Sequence, residues 1–206
     1  MTSQKDGLPS VTSKMKLVLA SSSPRRQELL ASIDLVPDEI ISPQIDETPL
    51  KGESPREYVK RIAILKARTV HSQMPHDYIL AADTIVEMGR KIILKAQNRE
   101  DAALILGRLS GRRHRVYTGV CVLSPEGKEA YSVVLTRLSF KRLTPDELED
   151  YLSSEEWEGK AGAYAIQGKA SKFVKFISGS YTNVVGLPLY ETDCLLKGLG
   201  FRRPRS

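Results

Sequence analysis

Apolar positions along this chain switch between continuous runs, alternation and helical spacing, and the switches mark out the elements. LVLA at 17–20 is a continuous apolar run of the kind a buried strand shows, so a strand is predicted over 16–20. Three serines follow. Ser23 has the chemistry of an N-cap and Pro24 the position proline prefers, predicting a helix over 24–33. An extended segment at 35–45 ends in the polar turn DETPLKGESP. Ser54 and Pro55 repeat the cap signature. Tyr58, Val59, Ile62, Leu65, Thr69 and Val70 then recur at helical spacing, predicting a helix over 54–73 with those residues as its buried face. YILAAD at 78–83 reads as a buried strand ending in an acid, and TIVEMGRKIIL at 84–94 as a hairpin turning at Gly89–Arg90. A helix over 98–108 is followed by two long strands, VYTGVCVL and YSVVLTRLSF, around the turn SPEGK. Thr144 caps a further helix, GAYAIQG to FVKFI reads as strand and loop, and a last helix covers 187–198. Strand and helix alternate without a repeat or a low-complexity linker, which predicts one α/β domain on a mixed sheet.

Composition narrows this picture. A chain of 206 residues, 41% of them apolar, suits a single domain with a substantial core. No apolar run approaches the roughly 18 residues that span a bilayer, so no membrane is expected as a partner. Residues 1–15 are polar and lack the apolar stretch of a signal peptide, so they read as a disordered leader and the protein as cytoplasmic. Cys121 and Cys194 lie in apolar surroundings without metal-ligand spacing and read as reduced core residues. The formal charge is +6. Arg108, Arg112, Arg113 and Arg115 form one basic cluster and Arg202, Arg203 and Arg205 a second, in a basic tail at 200–206; removing these seven leaves −1. Either cluster is solvated surface or a site for a phosphate-bearing ligand. Crowding into one internal loop favours a local site over a nucleic-acid stripe, and no aromatics interleave the first cluster, so nucleic acid is not an expected partner.

Some residue choices point to chemistry. Arg25 and Arg26 fall in a first helical turn, where cations are unfavourable by roughly 0.3–1 kcal/mol each. They make sense there if an anion binds the helix N-terminus, with the serines at 21–23 as further donors, or if they reach sideways to carboxylates such as Glu28. Asp83 closes an apolar strand, a place for a general base, a metal ligand or an ordinary turn aspartate. Asp46 and Glu47 are an acidic pair able to hold Mg²⁺ on a phosphate substrate, or simply solvated loop. Lys66 is displaced towards the apolar side of its helix, and Lys95 ends a strand. His71, His76 and His114 form no ligand spacing with the cysteines, and no P-loop, dinucleotide fingerprint or esterase elbow is present.

Taken together, LASSSPRRQELL, DETP, AADTIV, LSGRRHRVYTGV, KAGAYAIQG and NVVGLPL resemble the Maf family of nucleoside triphosphate pyrophosphatases over residues 16–199. The resemblance implies an elongated α/β fold with flanking helices and a deep cleft, similar to inosine triphosphate pyrophosphatases, in members that are often homodimers. It implies hydrolysis of a nucleoside triphosphate between the α- and β-phosphates with a divalent cation, Mg²⁺ or Mn²⁺. Ser21, Arg25 and Arg26 would line the phosphate site, and Lys66 and Lys95 would contact the triphosphate. Asp83 matches the proposed general base. Glu47 matches an active-site carboxylate and, with Asp83, would hold the metal. Gln167 matches a residue near the base pocket. Arg25, Thr84 and Gln167 agree with the branch acting on dTTP and UTP rather than that acting on 7-methyl-GTP. Ala96 stands where the family usually has proline after the lysine, which removes a φ constraint beside Lys95. Two other readings stay open: a 7-methyl-GTP enzyme, and a weakly catalytic nucleotide-sensing regulator of cell division, since the family is associated with septum arrest.

Overall fold

Seven strands form one mixed sheet, as the alternation predicts. The computed structural model describes residues 15–202. Most of the expected leader and the end of the basic tail therefore lie outside the described residues. The strands are β1 (Leu17–Leu19), β2 (Glu39–Ile40), β3 (Tyr78–Met88), β4 (Lys91–Ile93), β5 (Arg113–Leu123), β6 (Glu129–Phe140) and β7 (Val174–Ser178). Their order is β2-β1-β3-β5-β6-β7, with β4 also on β3. The β1 pairs are parallel, and β3–β5, β5–β6 and β6–β7 are antiparallel. The helices are α1 (Pro24–Ala31), α2 (Pro55–His71), α3 (Arg99–Leu109), α4 (Pro145–Leu152), α5 (Tyr181–Val185) and α6 (Leu189–Gly198). Among the described residues no helix is long and apolar enough to cross a membrane.

The sequence reading ends a strand at Asp83. In the structure β3 runs on for five more residues, and it is β1 that stops. Tyr78–Leu80 pair with β1, and Val86–Met88 pair with β4 on the same edge. Between them Ala81–Ile85 have β5 on one side and no strand on the other. That gap is the floor of the cleft. The hairpin does turn at Gly89 and Arg90, with φ of 60° and 66°. Both central residues therefore adopt the left-handed conformation of a two-residue hairpin loop.

α2 covers one face of the sheet and α1, α3, α4 and α6 the other. Ser54 caps α2 by a capping box, accepting from the Glu57 N–H at 3.2 Å while Glu57 accepts from the Ser54 N–H at 3.0 Å. Its buried face is rotated from the predicted one. Ala63, Lys66 and Ala67 are buried, whereas Leu65 is 37% exposed. Small residues let the helix approach the sheet closely, so alanine outweighs leucine in choosing the face. At Gly119 a Cβ would lie only 2.2 Å from the Val59 carbonyl oxygen. The strand-and-loop stretch resolves into turns at GAYAIQG and strand β7 from Val174, and three other local readings are corrected. α5 is an extra short helix. The predicted extended stretch at 35–45 shortens to β2. Cys194 is exposed, and Cys121 alone is buried.

Candidate active site

The gap in β3 opens into a cleft of about 460 Å³. The β1–α1 loop, the Glu47 loop, α2, the segment after β4, the turns at 158–167 and the end of α5 surround it. Nine residues singled out in the sequence, Ser21, Arg25, Arg26, Glu47, Lys66, Asp83, Thr84, Lys95 and Gln167, all line it. The outermost of them, Ser21 and Gln167, are 146 positions apart in the chain.

The two arginines at the helix start are accounted for by tertiary partners. Arg26 is buried; its Nε donates to the Gly186 carbonyl at 2.9 Å and its Nη1 to Ser21 Oγ at 2.8 Å. Arg25 Nε donates to the Val185 carbonyl at 3.4 Å. Neither ion-pairs Glu28. Gly186 follows the last residue of α5, where carbonyls are free and the helix end carries partial negative charge. Its φ of 133° is closed to most side chains and aims that carbonyl at Arg26. Ser23 occupies the N-cap position without a side-chain cap bond. A buried polar network supports this floor. Thr84 Oγ1 lies 2.9 Å from Thr118 Oγ1, Thr118 Oγ1 donates to the Asn183 carbonyl at 3.1 Å, and Asn183 Nδ2 donates to Thr136 Oγ1 at 2.9 Å.

The same cleft holds a carboxylate pair. Lys66 Nζ lies 2.7 Å from Asp83 Oδ1 and 2.7 Å from Glu47 Oε1. Asp83 and Lys66 are nine-tenths buried. Burial works against the Glu47 charge, but the Lys66 hydrogen bond and the charges of Lys66, Lys95 and Arg26 outweigh it and hold its pKa below the usual value. Tyr58 Oη fixes the Glu47 backbone by donating to its carbonyl at 2.8 Å. The neighbouring Asp46 separates from the expected pair: it accepts from the Thr48 N–H at 2.8 Å and lies outside the cleft lining.

Lys95 sits two residues beyond β4, exposed at the rim, not at the strand's end. Ala96 is buried in the core and Gln97 Nε2 donates back to the Lys95 carbonyl at 3.1 Å, so packing holds this loop without proline. Gln167 is exposed on the wall that also carries Tyr164. Two contributors have no assigned role in the sequence reading, although its motifs contain both. Lys160 joins the lining, its pKa pushed down by burial and by the charge of Arg25. Asn183 underpins the floor. Five cations face three acids around the cleft, a net charge of +2 suited to an anionic ligand.

Residues 16–199 match the family described as Maf-like protein. The chain belongs to the Maf family. A Mesorhizobium japonicum protein named dTTP/UTP pyrophosphatase is 52% identical, over 93% of this chain and 95% of that protein. Caulobacter vibrioides and Sphingopyxis alaskensis proteins of the same name are 50% and 53% identical, over 90% and 89% of this chain and 96% of each relative. Among solved structures, the Staphylococcus aureus Ham1 protein aligns with a TM-score of 0.44 at 18% identity, over 60% of this chain and 71% of that one. At that distance it bears on no functional point for this Maf protein.

Proposed function

We propose that this protein hydrolyses dTTP and UTP to the monophosphate and pyrophosphate. The observation that carries the reading is one cleft that brings the Glu47–Lys66–Asp83 cluster together with Arg25, Arg26, Lys95 and Lys160. The names of the relatives support the same substrates.

In this reading the cationic wall binds the triphosphate and Asp83 faces the α-phosphorus. A water oxygen attacks that phosphorus, Asp83 accepts the water proton, and the bond from the α-phosphorus to the α–β bridging oxygen breaks. The bridging oxygen leaves with pyrophosphate, whose growing charge Arg25 and Lys95 stabilise. Arg26, pinned by Gly186 and Ser21, presents its remaining donors to phosphate oxygens without a reorganisation cost. Thr84 and Gln167, with Arg25, set substrate choice; the Gln167 amide offers both a donor and an acceptor to a pyrimidine edge.

Glu47 and Asp83 fit a divalent cation, because their oxygens already converge on one positive group, the Lys66 ammonium. Two carboxylates with substrate phosphates and water are what Mg²⁺ commonly takes, and the ion would neutralise phosphate charge. Lys66 meanwhile bridges the two carboxylates, 2.7 Å from an oxygen of each.

The test is a product assay with Mg²⁺ on UTP, dTTP, CTP, GTP and 7-methyl-GTP, scoring pyrophosphate against orthophosphate. Pyrophosphate from UTP and dTTP is expected. Asp83→Asn should lower turnover by more than ~100-fold in protein that circular dichroism shows to be folded at the assay temperature. Turnover of 7-methyl-GTP alone would move the protein to the other branch. Tight nucleotide binding with no turnover would make it a sensor.

A further inference from the structure

None of the basic cluster Arg108, Arg112, Arg113 and Arg115 lines the cleft. Arg108 lies in α3 and Arg112 just before β5, whereas Arg113 and Arg115 lie in β5 itself, where strand pairing gives them company. Register places Glu87, Arg115, Arg137 and Ser178 in one row across β3, β5, β6 and β7, and Arg113, Ser139 and Phe176 in the next. Paired residues share a sheet face. α2 covers this face at Ile85, Tyr117 and Val133 and leaves these two rows open. Arg113, Arg115 and Arg137 are exposed, and Arg90 joins them from the β3–β4 turn.

Arg115 and Arg137 are directly opposite each other across two strands, a like-charge pairing that opposes sheet formation. Glu87 is the one acid lining the hollow, and it is committed. It is buried, accepts from Arg115 Nη1 at 2.9 Å and accepts from the Arg90 backbone N–H. Among the described residues Arg90, Arg113 and Arg137 have no ion-pair partner. The hollow measures about 490 Å³. It shares Arg113 with a second hollow of about 250 Å³, lined also by Ser139, Lys175 and the exposed residue Phe176.

We infer that this face of β5–β6–β7 is a second, non-catalytic site for the polyphosphate group of a small ligand. Arginine forks suit phosphate oxygens, and an anion between Arg115 and Arg137 removes their repulsion. The hollow is compact and has one exposed aromatic at its edge, where a nucleic-acid strand would need successive stacking platforms. A phosphate chain fills the arginine hollow, and Phe176 offers a stacking surface to a base if the chain carries one.

Titration calorimetry of the full chain with inorganic tripolyphosphate at low salt tests this. Two sites are expected, and Arg113→Ser/Arg137→Ser should weaken one by at least about tenfold while leaving UTP turnover unchanged. Repeating the titration with a UTP analogue carrying an α,β-methylene bridge separates the sources. Looser binding of the analogue alone in Phe176→Ala means a nucleotide, and an equal response of both probes means an inorganic polyphosphate. Both outcomes support the site. Identical tripolyphosphate stoichiometry and affinity in the wild type and the double variant would overturn it. So would binding only of a single-stranded oligonucleotide with steep salt dependence.

Discussion

Gly119 sets how deeply α2 sits on the sheet, and through it the position of Lys66. A Cβ at Gly119 would lie 2.2 Å from the Val59 carbonyl oxygen and 2.6 Å from its carbon. Gly119 pairs with Asp83 in the β3–β5 register, and Val59 lies two helical turns before Lys66. Gly119→Ala must therefore push the helix outward by roughly 1 Å to restore van der Waals spacing near ~3.5 Å. Backbone atoms cannot rotate aside, so the cost falls at the upper end of overpacking, about 3 kcal/mol. For a chain of this size that lowers Tm by about 6–12 °C. Lys66 moves with the helix and loses its 2.7 Å contacts to Asp83 and Glu47. A displacement of that size can lower kcat/KM by up to about 100-fold. Gly107→Ala is the control. It lies exposed in α3, and a Cβ there meets nothing within 4 Å. Helix propensity favours alanine by about 1 kcal/mol, so Tm should rise by about 2–4 °C. Scanning calorimetry and pyrophosphate release on both variants give the comparison. Wild-type Tm and turnover in Gly119→Ala would refute backbone-to-backbone packing at this position.

Arg26→Lys keeps the charge but cannot span Gly186 and Ser21. It should cost about 1–3 kcal/mol of stability in urea unfolding and raise KM, and an unchanged KM would make Arg26 purely structural. Lys66→Met leaves burial of Glu47 opposed only by more distant cations, so the Glu47 pKa should rise; carboxyl NMR titration reads the shift, and a fall would contradict the assigned cause. His114 is buried beside Tyr164, and burial draws its pKa down to about 4 from an ordinary 6.5. The unfolded chain thus binds more protons between those values, and stability is lost as pH falls through 6.5 towards 4. Between pH 7 and pH 5 the wild type should lose about 2 kcal/mol more than His114→Gln in urea unfolding, and equal losses would exclude His114 as the source.

Sequence by itself determined the local pieces. Caps at Ser54 and Thr144, the Gly89–Arg90 turn and the apolar strand runs are set by neighbours a few positions away, and all form where residue chemistry puts them. The same holds for residue types that are costly without a partner, such as two arginines at a helix start or an acid in an apolar strand. Those costs make site residues visible before any fold is known. Tertiary structure alone decided what relieves them. Arg26 is held by a carbonyl 160 residues away, and Lys66 lies between two acids on separate segments. The cleft exists because β1 ends while β3 continues, and the Arg115–Arg137 pairing exists through strand register. Such features depend on where chain segments meet, and hydrophobic periodicity specifies only which face each segment buries.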